Sequence, residues 1–257
     1  MRKHTTSASV ILAIDIGNTS VDLAVFRGKR VVWRDKISVR PVSRMLLSLK
    51  GIKIPFKLDA VAVSCVNPPV GRRIAAWSKK KLGMKPLVVG KDLPISMPVR
   101  LSSGQAGDDR ICSAVAAYER CKGACIVVDF GTALKMQVVN SQGEFLGGAI
   151  MCGISLSARA LHEQTALLPH VRLRTPRRAI GRNTEEALRS GLMIGSIGAV
   201  RHLLECIKTE LNCPVTVFAT GSDSKSLGKA IGSFDSIVPV LALEGIRVLY
   251  EQSVDHL

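Results

Sequence analysis

Short apolar runs alternate with stretches of helical spacing along most of this chain. Val10–Ile14, Ser20–Phe26 and Val31–Trp33 read as strands, with Gly28 in the second turn. Ser43–Leu49 reads as a short helix with Leu46, Leu47 and Leu49 on its apolar face. Asp59–Ser64 is a short apolar strand, and Asn67-Pro68-Pro69 after it reads as a stop. A basic helix over Gly71–Lys81 and a buried strand over Pro86–Val89 follow. Residues 91–107 carry several breaks and no clean period, so they read as a loop. That loop arrives at Gly107-Asp108-Asp109-Arg110, which opens a helix over Ile111–Arg120. Further on, the spacing predicts helices over Ser155–Leu167, Glu185–Glu210 and Pro239–Tyr250, and a strand over Val215–Ala219 that ends in Thr220-Gly221. Asn183 or Thr184 serves as the cap of the longest helix, and residues 222–235 form a short Lys-bearing element. Strands alternating with helices at this spacing make an α/β chain.

One stretch of this pattern occurs twice. ILAIDIGNTSVDLAVFRGKRVV near the start matches IVVDFGTALKMQVVNSQGEFLGG, which begins at Ile126. Each copy is an apolar strand ending in Asp, a glycine turn, a second strand and a third. Asp15 and Asp129 are the two acids. The period is too long for a solenoid. It implies two similar halves, residues 1–123 and 124–257, facing each other across a cleft. Tight glycine turns leave backbone N–H groups free for anions, and a carboxylate beside them can hold a cation. Phosphates have those needs.

Composition narrows the field only partly. The chain has 257 residues, 47% of them apolar, enough for one large or two medium cores. Lys and Arg number 36 against 20 Asp and Glu, a formal charge of +16, which favours an anionic partner without selecting one. With two Trp and two Tyr there is no stacking platform for nucleic acid. Seven cysteines without metal-ligand spacing suit buried thiols in a reducing compartment. No apolar run reaches about eighteen residues, so no membrane span is expected. No leader pattern is read at the start, and the expected location is the cytoplasm.

The candidate chemistry sits at the turns. Asp15-Ile16-Gly17-Asn18-Thr19 and Asp129-Phe130-Gly131-Thr132 supply glycines for close approach, hydroxyls from Thr19 and Thr132, and a carboxylate to orient Mg²⁺. An ordinary hairpin turn is the competing reading of either motif alone. Thr220-Gly221 is a third turn, placed to lie against a nucleoside. Asp109 at a helix entry is a candidate base, and Arg110 can grip a carboxylate as a planar fork. A helix-capping Asp with a solvated Arg is the alternative for that pair. No P-loop or protein-kinase motif set is present.

Taken together, the motifs resemble those of the type III pantothenate kinases, in the actin/hexokinase/Hsp70-like superfamily. Asp15 to Thr19 matches the family's DxGNT, Ser64-Cys65-Val66-Asn67-Pro68 its SSVxP, and Gly107 to Arg110 its GxDR. Asp129 to Ala133 matches DxGTA, Gly143 through Gly153 matches GxxxGGxIxPG except for Cys152, and Gly181 to Thr184 matches GxxT. The resemblance implies duplicated ribonuclease H-like, actin-like ATPase halves around a central cleft. It implies transfer of phosphate from ATP to pantothenate, giving 4′-phosphopantothenate for coenzyme A synthesis. Asp109 would be the catalytic base. Asp15, Ile16, Gly17, Asn18, Thr19, Thr132 and Gly221 would bind nucleotide, with Mg²⁺ on Asp15. Gly107, Asp108, Arg110 and Thr184 would bind pantothenate, and Asp129 would hold a monovalent cation, K⁺ or NH₄⁺. A homodimer is expected. The glycine-spaced face of the long helix, at Gly191, Gly195 and Gly198 with Leu192, Ile194 and Ile197, points the same way. Neither nucleic acid nor membrane is expected as a partner.

Some positions depart from the family pattern. DxGTAxTxD becomes DFGTALKMQ, so Lys135 and Gln137 replace Thr and Asp. TGG becomes Thr220-Gly221-Ser222, and Arg100 stands near the place of a substrate-contacting Tyr. Lys135, Gln137 and Ser222, with the +16 charge, lend support to the competing reading of a non-catalytic paralogue acting as a regulatory or interaction protein, while Asp15, Asp109 and Asp129 all remain and keep the active kinase the leading reading. Lys135 is three residues beyond Thr132, and strand alternation then turns its side chain away from the nucleotide face. On that count the monovalent-cation site stays open.

Overall fold

The computed structural model describes residues 8–102 and 106–254. The expected loose start at residues 1–9 and the loop at 91–107 therefore lie partly outside the described residues. Two compact units divide the chain. The first takes the described residues up to Pro98, those within Ser102–Ala116, and those from Leu241 onward. The second takes Val99–Leu101 and Ala117–Val240.

In the first unit, β1 (Val10–Ile16), β2 (Ser20–Arg27) and β3 (Arg30–Ser38) form an antiparallel meander. β4 (Ala60–Cys65) lies parallel to β1, and β5 (Leu87–Val88) parallel to β4, giving the order β3-β2-β1-β4-β5. Alternation along each strand sorts the side chains. Leu12, Ile14, Ile16, Leu23, Val25 and Val63 join a buried core with Met45 and Leu49 of α1 (Val42–Gly51) and Val70 and Ile74 of α2 (Pro68–Leu82). Ile11, Ala13 and Asp15 take the other face. Helix α7 (Leu241–Val254) packs beside β1 and β4. There Gly245 approaches α3 (Asp108–Cys121) so closely that a Cβ on it would fall 1.8 Å from the Cys112 carbonyl oxygen.

The second unit repeats this plan. β6 (Cys125–Phe130), β7 (Ala133–Val139) and β8 (Phe145–Gly147) form the meander. β10 (Thr216–Thr220) lies parallel to β6, and β11 (Ser236–Ile237) parallel to β10. Read from β8, the order is β8-β7-β6-β10-β11, strand for strand the counterpart of the first sheet. Ile126, Val128, Leu134, Met136 and Val217 build its core with Ile154 and Ala158 of α4 (Ile154–Glu163) and Val200 and Leu204 of α5 (Thr184–Leu211). A short strand β9 (Ile150–Cys152) also pairs with β7.

Three sequence expectations are refined. The strand does stop before Asn67-Pro68-Pro69, but the same residues also start the helix expected from Gly71: Asn67 accepts from the Val70 N–H, and the prolines occupy positions whose N–H groups have no partner in the helix. The longest helix is capped by Asn183, whose Oδ1 accepts from the Glu186 N–H at 2.9 Å, while Glu186 accepts from the Arg182 N–H. Of the two caps expected, Asn183 is the one used, in a capping box shifted by one residue from its usual backbone partner. Finally, the division at 123/124 does not hold for the C-terminal segment, because α7 packs in the first unit. Among the described residues no helix is long and apolar enough to cross a membrane.

Candidate active site

In the first unit Asp15 is the penultimate residue of β1. Its neighbour on β4 is Ser64 and its neighbour on β2 is Asp22. Beyond it the chain turns with the Gly17 N–H donating to the Ser20 carbonyl at 2.9 Å, leaving Asn18 and Thr19 exposed at the tip. The Ile16 side chain is buried in the core, so Ile16 offers the site only its main chain. Its carbonyl accepts from the Val66 N–H at 3.1 Å, which ties the Ser64-to-Pro68 turn to the end of β1. Gly107 stands at the entry of α3, its carbonyl accepting from the Arg110 N–H. A Cβ on Gly107 would lie 2.8 Å from Asp109 Oδ1 and 3.4 Å from Val66 Cγ1. Thus the Asp109 carboxylate, Gly107 and the turn beside Asp15 form one contiguous group.

Electrostatics confirm the gathering of acids. The fully buried Cys112 thiol is pushed well up, first by burial and then by Asp15, Asp108 and Asp109 together. Burial, then Asp108 and Asp15, raise Cys65 in the same direction. The Asp108 carboxyl is held above its ordinary range by burial and by Asp109 beside it. Burial lowers Arg110, and the Asp109 charge opposes it. Neighbouring carboxylates of this kind suit a cation. Among the described residues no set of three or more His, Cys, Asp or Glu could hold a metal. Mg²⁺ needs less than that, since it binds through one or two carboxylates, waters and substrate phosphates. Asp15 fits that donor set.

In the second unit Asp129 occupies the equivalent place, penultimate on β6. Its neighbour on β10 is Thr220 and its neighbour on β7 is Lys135. Ser64 and Thr220 are therefore matching hydroxyl residues beside the two acids, a pairing that the parallel register creates and no local motif announces. Lys135 does not point away. Its Nζ lies 3.0 Å from Asp129 Oδ2, with both side chains less than a fifth exposed. Thr132 belongs to the turn before β7, so alternation cannot be counted from it. Directly paired residues on antiparallel strands share a face. The hairpin from Asp129 to Lys135 is also one residue shorter than that from Asp15 to Asp22.

The Gly221 turn closes on the same acid. Gly221 has φ +90°, a conformation glycine adopts without strain, and a Cβ there would sit 2.5 Å from Asp129 Oδ1. Ser222 is exposed beyond it. Thr132 accepts from the Gly153 N–H through its carbonyl at 3.0 Å. Lysine on one carboxylate oxygen and turn backbone against the other leave Asp129 a poor fit for a resident K⁺ or NH₄⁺.

Thr184 is exposed in the first turn of α5. It lines a pocket of about 550 Å³ with Arg174, Asn183, Glu185, Glu186 and Arg189. The Glu186 carboxyl there is held low by the Arg182 N–H and by nearby arginines. Arg100 is engaged elsewhere, its Nε donating to Glu144 at 2.8 Å.

A family model for type III pantothenate kinases matches residues 11–206. The chain belongs to that family. It is 37% identical over 251 residues to the type III pantothenate kinase of Myxococcus xanthus, covering 94% of this chain and 98% of that one. It is 35% identical over 256 residues to that of Moorella thermoacetica, with 95% and 100% covered. A solved structure from Campylobacter jejuni, described as a conserved Baf family transcriptional activator, superposes with TM-score 0.60 at 18% identity over 95% of this chain and 99% of that one. At that identity the likeness speaks for the fold alone. Structure neighbours and topology support a fold of the actin/hexokinase kind.

Proposed function

We propose that this protein phosphorylates the 4′-hydroxyl of pantothenate with ATP. The observation that carries the reading is that the Asp109 carboxylate and Gly107 meet the turn tied to the end of β1 beside Asp15, within a chain of the pantothenate kinase family. Asp109, at the mouth of α3, accepts the hydroxyl proton as the alcohol attacks the terminal phosphoryl group. The glycine turn after Asp15 presents backbone N–H groups and the Thr19 hydroxyl to phosphate oxygens. Mg²⁺ bound beside Asp15 would neutralise phosphate charge. Arg110 pairs with the pantothenate carboxylate, and Thr184 contributes from the α5 entrance. On the second unit, Thr132 and the Gly221 turn serve the nucleotide.

The test is ADP release by the purified protein with ATP and Mg²⁺, with and without pantothenate. Turnover that requires pantothenate is the expected result. No ADP release while nucleotide still binds would replace the kinase with the non-catalytic reading, and ADP release indifferent to pantothenate would remove pantothenate as the acceptor.

A further inference from the structure

We propose that Lys135 supplies, from within the chain, the monovalent cation that Asp129 would otherwise hold, so that nucleotide binding and turnover do not depend on K⁺ or NH₄⁺. This deepens the kinase reading and rests on it for the turnover arm alone. The ammonium stands 3.0 Å from Asp129 Oδ2, at 17% side-chain exposure against 18% for the aspartate. Screening by solvent is weak at such a place, and a half-enclosed carboxylate needs a countercharge. The backbone register holds the pair together, since Asp129 and Lys135 are direct cross-strand partners. A diffusing ion would have to displace a cation that is already tethered on the adjoining strand. Chemically the substitution is conservative: NH₄⁺ is one of the two ions expected at this acid, and a lysine head group is the same ammonium with one hydrogen replaced by carbon, keeping three donors.

Position matters as much as charge. The other oxygen of Asp129 lies against Gly221, where even a methyl group would come within 2.5 Å, and the Gly221 carbonyl accepts from the Ser224 hydroxyl at 2.7 Å. The Phe130 carbonyl accepts from the Asp223 N–H at 3.3 Å, which joins that turn to the strand bearing Asp129. The ammonium, the acid and the turn expected to face the nucleoside are therefore one assembly. In the first unit the matching position beside Asp15 is Asp22, which is paired outward with Lys36 at 3.1 Å. The cross-strand neighbour of the acid is thus a lysine in the second unit and an aspartate in the first.

The experiment uses the full chain at constant ionic strength in K⁺, NH₄⁺, Na⁺ or tetramethylammonium salts. Affinity for a non-hydrolysable ATP analogue with Mg²⁺ is measured by calorimetry, and pantothenate-dependent turnover is measured alongside. For the natural protein both are expected to be the same in all four salts. Lys135→Thr is expected to bind the analogue about tenfold more weakly in tetramethylammonium and to recover in K⁺ or NH₄⁺, the size of an ordinary coupling between two ligands. Lys135→Gln serves the same purpose should the threonine variant fail to fold. Activation of the natural protein about tenfold by K⁺ would overturn the proposal, as would a lysine-free variant that binds at full strength in every salt. If no salt supports turnover on pantothenate, the kinase reading falls, while the affinity measurements still decide the role of Lys135.

Discussion

Asp108 and Asp109 are adjacent in the chain, yet their surroundings predict opposite behaviour on substitution. Asp109 faces Gly107 and the turn beside Asp15. Asp109→Asn keeps the shape and the helix entry but removes the proton acceptor, so kcat is expected to fall by roughly 10²–10⁴-fold with nucleotide affinity retained. Activity within about tenfold of the parent would assign the base elsewhere. Asp108 is ionised at a cost, because burial and the Asp109 charge raise its pKa. For an acid whose folded pKa lies above its unfolded value, the penalty is present at neutral pH and is relieved as pH falls through the folded value. Asp108→Asn is therefore expected to raise the melting temperature at pH 7, with the advantage fading on acidification. A lower melting temperature at pH 7 would mean that the helix entrance needs this charge. At this scale the motifs made Asp15, Asp109 and Asp129 legible. Gln137 shows the opposite: it is fully buried, and neither amide atom finds a hydrogen-bond partner within the described residues. Nothing in the structure explains that choice.

The helices show where local pattern carries and where it does not. Periodicity located all the long ones, and errors fell at their ends. Asn67-Pro68-Pro69 ends the strand as expected, but the same residues also favour a first helical turn, so the helix begins three residues before Gly71. Glycines divide in a similar way. Gly245 lies in the interior of α7, where alanine is the better helix former by about 1 kcal/mol. Its close approach to Cys112 outweighs that gain. Gly245→Ala is expected to lower stability by about 1–3 kcal/mol, measured by denaturant melts, since a methyl group there forces backbone apart. An unchanged or raised midpoint would show that α7 and α3 separate more easily than their packing implies. Gly195, by contrast, has open space where a methyl group would stand, with nothing within 4 Å among the described residues.

For the molecule as a whole, that open position bears on assembly. Gly191, Ile194, Gly195 and Gly198 are exposed along one side of α5. Leu192 and Ile197, expected to share that face, instead pack into the core of their own unit. A homodimer in contact through the remaining exposed glycines is the expected state. Light scattering at micromolar concentration checks it: a monomer mass would rule the dimer out, and Gly195→Ala would then simply stabilise the monomer by about 1 kcal/mol. The order of residues alone specified the alternation of strands and helices, the duplicated strand-turn-strand units and the acids that close them, because these depend on spacing between neighbours in the chain. It could not say that α7 returns to the first sheet, since an amphipathic helix fits any apolar surface of suitable shape. Nor could it place Lys135. Which way a strand residue faces depends on the length of the turn before it and on the register with its partner, and one residue fewer in the second hairpin sets the lysine directly opposite Asp129.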